Sequence, residues 1–194
     1  MRSFHAEHPA VTGDALGGGR APDGRSSYAI LADQVAGRRR VLDLGCGDGV
    51  LLELLAAAPD RRLAGVDLSP HSLALARRRP ALAGTALAQA RAQRLPFSDG
   101  AFDACVSHLA LMLMGDADKV VAETARVLVP GGVLACAVGG GAVGGEAYDV
   151  GPLAPAAVAA LRADFLTGAK SLASADGRVP CGFRVHIATA RRAA

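Results

Sequence analysis

Seven consecutive residues, Asp43-Leu44-Gly45-Cys46-Gly47-Asp48-Gly49, constrain this chain more than any other stretch. Glycine at every second position sustains neither a helix nor a regular strand, so a tight turn is required there. The short apolar run Val41-Leu42-Asp43-Leu44 precedes it and reads as a buried parallel strand. Val50 to Ala58 follows, with Leu51, Leu52, Leu54 and Leu55 at helical spacing before Pro59 ends the pattern. Strand, glycine turn and helix in that order aim free backbone amides and the positive end of a helix dipole at one spot. The missing Cβ atoms let a ligand approach the main chain there.

The alternation continues downstream. Leu63 to Val66 is a second short strand; Ser69-Pro70 supplies an N-cap and a first-turn proline for a helix reaching about Arg79. Thr85 to Ala90 and Ala101 to Ser107 are the third and fourth strands. Asp116 to Leu128 predicts a helix with Val120, Val121, Ala125 and Leu128 on one face; Pro130-Gly131-Gly132 predicts a turn before a fifth strand, Val133 to Val138. Gly139 to Gly145 predicts a loop, Pro152 to about Gly168 a helix, and Phe183 to Thr189 a strand by its period of two, with a weakly marked strand near 171–175. The expected fold is α/β: a doubly wound, mainly parallel seven-stranded sheet of Rossmann-like type with an antiparallel C-terminal strand. Residues 28–194 form its domain, and residues 1–27, rich in Gly, Pro and charge, form a flexible arm that could order over a ligand. Ligands of such sheets bind at the carboxyl ends of the strands, here the loops after Leu44, Val66, Ala90 and Ser107.

Asp67 closes the second strand twenty positions after Gly47, where a carboxylate can accept from both hydroxyls of a ribose. The glycine spacing is GxGxG, not the GxGxxG of dinucleotide folds, and Asp43 and Asp48 flank it. Carboxylates so placed repel a pyrophosphate but attract an ammonium or sulfonium, which argues against a nicotinamide oxidoreductase. The rest of the composition narrows the partners. Aromatics make up 4% with no Trp, too few for base-stacking platforms, and a net charge of +3 calls for neither nucleic acid nor an anionic membrane. Arg38 to Arg40 and Arg77 to Arg79 read as solvated ends of elements. Four dispersed cysteines without a CxxC pair predict no metal site and reduced thiols in the cytoplasm.

The chain resembles the class I S-adenosylmethionine-dependent methyltransferases, small-molecule branch. VLDLGCGDG at 41–49 is similar to the family's glycine-rich first motif and GVDLSP at 65–70 to its acidic second one. RAQRLPFSDGAFDACVSH at 91–108 and ARVLVPGGVLACAV at 125–138 resemble the later motifs. The resemblance implies S-adenosyl-L-methionine as cofactor, with Gly45, Cys46 and Gly47 in the loop against its methionine and ribose part and Asp43 near its amino group. Asp67 would take the ribose hydroxyls, Leu68 would pack on the adenine, Ala92 and Gln93 would border the adenine edge, and Ser107 and His108 would lie near the sulfonium. Arg91 stands where the family often has Asp, and Gln93 or backbone carbonyls could make the adenine contact in place of that carboxylate.

The implied reaction is in-line methyl transfer to an O, N or C atom of a small-molecule acceptor. His108 is the candidate catalytic base, set against a plainer role as pocket wall or hydrogen-bonded structural histidine. His5 and His8 lie in the arm; His71 and His186 read as surface and structural. The run Leu109 to Met114 reads as core in preference to an acceptor pocket. No Asn-Pro-Pro-Tyr or Asp-Pro-Pro-Tyr follows the fourth strand, which speaks against nucleic-acid bases as acceptors. The short segment before the last strand predicts a modest acceptor, or else a site completed by the arm or by a second copy in a homodimer. The competing reading is a catalytically silent S-adenosylmethionine-binding sensor or regulatory subunit.

Overall fold

Val41, Leu42 and Leu44 are fully shielded from solvent, as a strand buried on both faces of a parallel sheet must be. In the computed structural model, which describes residues 20–139 and 185–193, they lie in the central strand β1 (Arg40–Leu44). β1 pairs in parallel with β2 (Arg62–Asp67) on one side and β4 (Phe102–His108) on the other. β3 (Ala86–Gln89) extends the sheet beyond β2; β5 (Leu128–Gly139) and then the antiparallel β6 (Val185–Arg191) extend it beyond β4. The order β3-β2-β1-β4-β5-β6 reverses direction between β1 and β4, the switch point at which such sheets open a crevice.

Helices cover both faces. On one, Leu31 of α1 (Ser27–Asp33), Val35, and Leu51 and Leu55 of α2 (Val50–Ala56) pack on Val41, Ala104, Val106, Ala135 and Ala137. On the other, Val127 of α4 (Ala117–Val127), Leu95 and Phe102 meet Leu42, Leu44, Ala64, Val66 and Cys105. Leu73 and Ala76 of α3 (Pro70–Ala76) join Cys46, Leu52 and Leu82 in a third cluster. The caps follow the sequence: Ser26 accepts from the Ala29 amide at 3.2 Å, and Ser69, ahead of Pro70, accepts from the Ser72 amide at 3.2 Å.

Two expectations change. Val121 is 54% exposed, because consecutive helical residues lie about 100° apart and only Val120, with Thr124 and Val127, faces the sheet. The Pro130-Gly131-Gly132 turn does not separate α4 from β5; the strand runs on from Leu128, with its register against β4 shifting between Phe102 and Ala104. A proline is tolerated there because its neighbours carry the pairing: Gly131 N–H donates to the Arg192 carbonyl (3.0 Å) and Gly132 C=O accepts from the Arg192 amide (2.9 Å).

Six strands are described; the seventh, expected near 171–175, lies outside the described residues, as do the helix expected at 152–168, most of the 139–145 glycine run, His5, His8 and Cys181. The chain divides into two units, residues 1–138 with 185–194 and residues 139–184, and the described residues other than Gly139 all belong to the first. No helix among the described residues is long and apolar enough to cross a membrane.

Candidate functional site

The glycine turn is held open by its neighbours. Gly45 and Cys46 both donate their amides to the Val66 carbonyl, at 2.8 and 3.0 Å, which binds the turn to the end of β2. Gly45 sits at φ +73° with its α-carbon against Ala110, so close that a Cβ would come within 2.4 Å of the Ala110 Cβ. Gly47, at φ +53°, differs: nothing among the described residues lies within 4 Å of where its Cβ would be. The loop's middle glycine thus borders open space while the first and last, Gly45 and Gly49, are packed.

Asp67 joins this turn directly. Its Oδ2 accepts the Gly47 amide at 2.8 Å and its Oδ1 accepts the Ser69 amide at 2.8 Å, so one carboxylate fastens the first turn to the start of α3. A carboxylate has about four lone-pair positions, leaving capacity for a ligand's hydroxyls. Cys46 turns away from the crevice into the third core cluster, and Gly65 beside it is obligatory: a Cβ there would lie 2.8 Å from both Cys46 Sγ and Leu52 Cδ1. Burial pushes the Cys46 thiol far above its usual range, so its role is to fill space.

Asp43 is 1% exposed, and its Oδ1 has no hydrogen-bond partner among the described residues. Burial, helped by the Asp67 charge, raises its carboxyl to about 8. Asp48 is committed elsewhere, since Arg79 reaches it at 2.6 Å and also pairs with Glu53. Of the two acids that flank the turn, Asp48 is ion-paired while Asp43 carries a buried oxygen without a partner among the described residues, and Arg79 is no idle solvated end.

On the far side of Asp67, Leu68 is 55% exposed and Ala92 is buried. The Gln93 side-chain amide donates to the Gly115 carbonyl, and the exposed Arg91 backbone bridges Arg94. Ser107 is fully buried, with Oγ donating to the Leu44 carbonyl at 2.9 Å, which staples the ends of β1 and β4 across the switch point.

His108, at the end of β4, is 7% exposed. Its Nε2 lies 2.8 Å from Ser27 Oγ, its ring stacks on Tyr28 at 3.8 Å, and its Nδ1 is buried without a partner among the described residues. Burial lowers the imidazole to about 4, so it is neutral at physiological pH. Tyr28 is held up to about 12 by burial and by the nearby Asp48 and Asp43 charges. Ser27 and Tyr28 meet His108 here although the sequence analysis does not single them out, because nothing local says which strand end α1 covers. The run after His108 also departs from the expected core: Leu109 is buried, but Met112 and Leu113, in a 3₁₀ turn (Leu111–Leu113), are 50% and 46% exposed.

A family model described as a methyltransferase domain matches residues 42–136, which span the glycine turn, Asp67 and His108. Over these residues the chain is a class I S-adenosylmethionine-dependent methyltransferase domain. A demethylmenaquinone methyltransferase of Thermus thermophilus is 41% identical over 99 residues, covering 50% of this chain and 45% of that protein. A fatty-acid O-methyltransferase of Mycolicibacterium smegmatis is 40% identical over 107 residues, covering 55% and 38%. Among solved structures, an S-adenosylmethionine-dependent methyltransferase from Mesorhizobium loti superposes with a TM-score of 0.53 at 28% identity, over 60% of this chain and 54% of that one. The chain spans less than half the length of these two curated relatives. The family's cofactor is S-adenosylmethionine, and the methyltransferase domain's residues suit it. The buried Asp43 Oδ1, without a partner among the described residues, is an acceptor fit for an ammonium, and the open space at Gly47 lies next to the Asp67 carboxylate.

Proposed function

We propose that this chain transfers the methyl group of S-adenosylmethionine to an O, N or C atom of a small-molecule acceptor. The observation that carries the reading is the 2.8 Å hydrogen bond from the Gly47 amide to Asp67 Oδ2, which brings the two halves of an adenosine site into one crevice. When bound, the cofactor supplies an activated methyl on a sulfonium, so the protein's task is chiefly alignment, worth ~7–11 kcal/mol of the barrier when the geometry is near attack.

Each side chain then has a role. Asp43 binds the amino group, Gly45, Cys46 and Gly47 shape the loop, and Asp67 orients the ribose. Leu68 offers an exposed apolar surface to the adenine, with Ala92 and Gln93 at its edge, while Ser107 holds β4 beside β1. His108 is the candidate proton acceptor. With Nε2–H donating to Ser27 Oγ, Nδ1 is left free to take a proton from the acceptor. A base of such low affinity for protons suits the lower end of the ~10²–10⁴-fold usual for general-base catalysis. The relatives' substrates make quinol-type rings and carboxylic lipids the first acceptors to try, and the exposed Met112 and Leu113 are consistent with an apolar one.

The test pairs two measurements on the same protein: calorimetric binding of S-adenosylhomocysteine, and radiolabelled methyl transfer to a panel of quinols, fatty acids and amines. Binding with turnover is the expected result. Binding without turnover on any acceptor would leave the silent sensor in its place, and NAD binding without a response to S-adenosylhomocysteine would remove both.

A further inference from the structure

The edge of the sheet opposite the glycine turn is built from arginine. β1 and β2 run parallel with Arg40 and Arg62 as register partners, so the first residues of both strands stand side by side. Arg39, Arg40, Arg61 and Arg62, with Asp60 and Asp103, line an open cleft of about 560 Å³. The five residues of β1 put roughly 13 Å of strand between this cleft and the turn after Leu44 at ~3.3 Å per residue.

The charges in this cleft are not balanced from within. None of the four arginines forms an ion pair among the described residues. Asp103 is spent on the backbone, accepting the Arg39 amide at 3.1 Å and the Arg40 amide at 3.0 Å. Arg61 is spent as well: its guanidinium donates to the carbonyls of Arg38 (3.1 Å), Val35 (3.1 Å) and Leu55 (3.4 Å), tying the ends of α1 and α2 to the strands. Arg40 makes one long bond to the Gly100 carbonyl at 3.4 Å. Arg39 and Arg62 are exposed, and neither side chain has a partner among the described residues.

Like charges side by side on neighbouring strands repel one another, and guanidinium groups do not relieve this by losing a proton. A multivalent oxyanion relieves it, because the planar fork of each guanidinium matches phosphate oxygens two at a time. We propose that this cleft is a second ligand site, separate from the cofactor crevice, that takes a phosphorylated small molecule. Arg39, Arg40 and Arg62 hold its phosphate groups, and Arg61 keeps the floor rigid. The volume lies in the ~300–1,000 Å³ range of small-ligand pockets. A nucleic-acid strand fits less well, since the chain has no Trp and few aromatics to stack bases.

The test is calorimetric titration of the whole chain with pyrophosphate at low ionic strength, where exposed charges are least screened. Saturable binding is expected, weakened by at least about tenfold in the double variant Arg39→Gln/Arg62→Gln, which loses charge-assisted hydrogen bonds without touching a packed side chain. S-adenosylhomocysteine affinity should be the same in both proteins, which separates this site from the cofactor crevice. Absence of saturable pyrophosphate binding, equal binding in the double variant, or displacement of pyrophosphate by a short oligonucleotide at lower concentration would each overturn the proposal.

Discussion

Asp67 serves two purposes with one carboxylate: it closes the glycine turn, and it is the proposed ribose acceptor. Asp67→Ala should weaken S-adenosylhomocysteine binding by about 1–3 kcal/mol, measured by calorimetry, since hydrogen bonds to a charged group carry that weight. Unchanged affinity would mean that the ribose lies elsewhere. Asp43 makes a prediction about pH. Its carboxyl stays protonated in the folded chain up to about 8, whereas in the unfolded chain it ionises near ~3.9. Between those values the folded state holds the extra proton, so stability falls as pH rises through the window and levels off above it. Asp43→Asn should lack that component in denaturant titrations across the range. Binding of the cofactor's ammonium should also expel the proton, seen near pH 7 as a calorimetric enthalpy that varies with buffer in the wild type and not in Asp43→Asn. His108 acts in the opposite sense. Its lowered value of about 4 means that the unfolded chain binds the proton more readily, so its contribution improves stability as pH rises from about 4 to ~6.5. His108→Gln removes that second component and separates the two.

Elements here are positioned by what a single atom would disturb. Gly45 and Gly47 are both left-handed glycines of one turn, yet the structure gives them different duties. Gly45→Ala drives a methyl into Ala110 and should destabilise the fold by about 1–3 kcal/mol or more, read as a drop in denaturation midpoint. Gly47→Ala meets no atom of the described residues and should cost only the ~1–2 kcal/mol of left-handed backbone, while its effect on S-adenosylhomocysteine affinity should be much larger. Equal losses of stability and affinity in the two variants would contradict this division. The strands and helices around the turn were largely legible, because local rules govern them: Ser69-Pro70 starts α3 and the apolar run 41–44 forms β1. Where the expectation differs, a distant partner is responsible. Arg192, just past the end of β6, pairs with Gly131 and Gly132 where a turn is expected, and that partner lies more than fifty residues away in sequence.

For the whole methyltransferase domain, ligand binding and folding are one equilibrium. S-adenosylhomocysteine at about a hundred times its dissociation constant should stabilise the native state by ~2.7 kcal/mol, or about 5–11 °C in melting temperature for a chain of this size. NAD should give no shift. A molecule whose Tm ignores S-adenosylhomocysteine would lack the crevice described here.

The layered α/β plan, the strand-turn-helix opening and the pairing of the glycine turn with Asp67 are written in residue order. They depend on hydrophobic period, on glycine's freedom at positive φ and on caps a few residues away. Other features had to await the packed chain, because they depend on which distant groups meet. Ser27 and Tyr28 come against His108 across eighty residues of sequence, and Asp48 pairs with Arg79 while Asp43 keeps a buried oxygen without a partner among the described residues. The parallel register of β1 with β2 likewise sets two arginine pairs around one cleft. Burial and charge pairing are properties of neighbours in space, and a linear chain does not state who those neighbours will be.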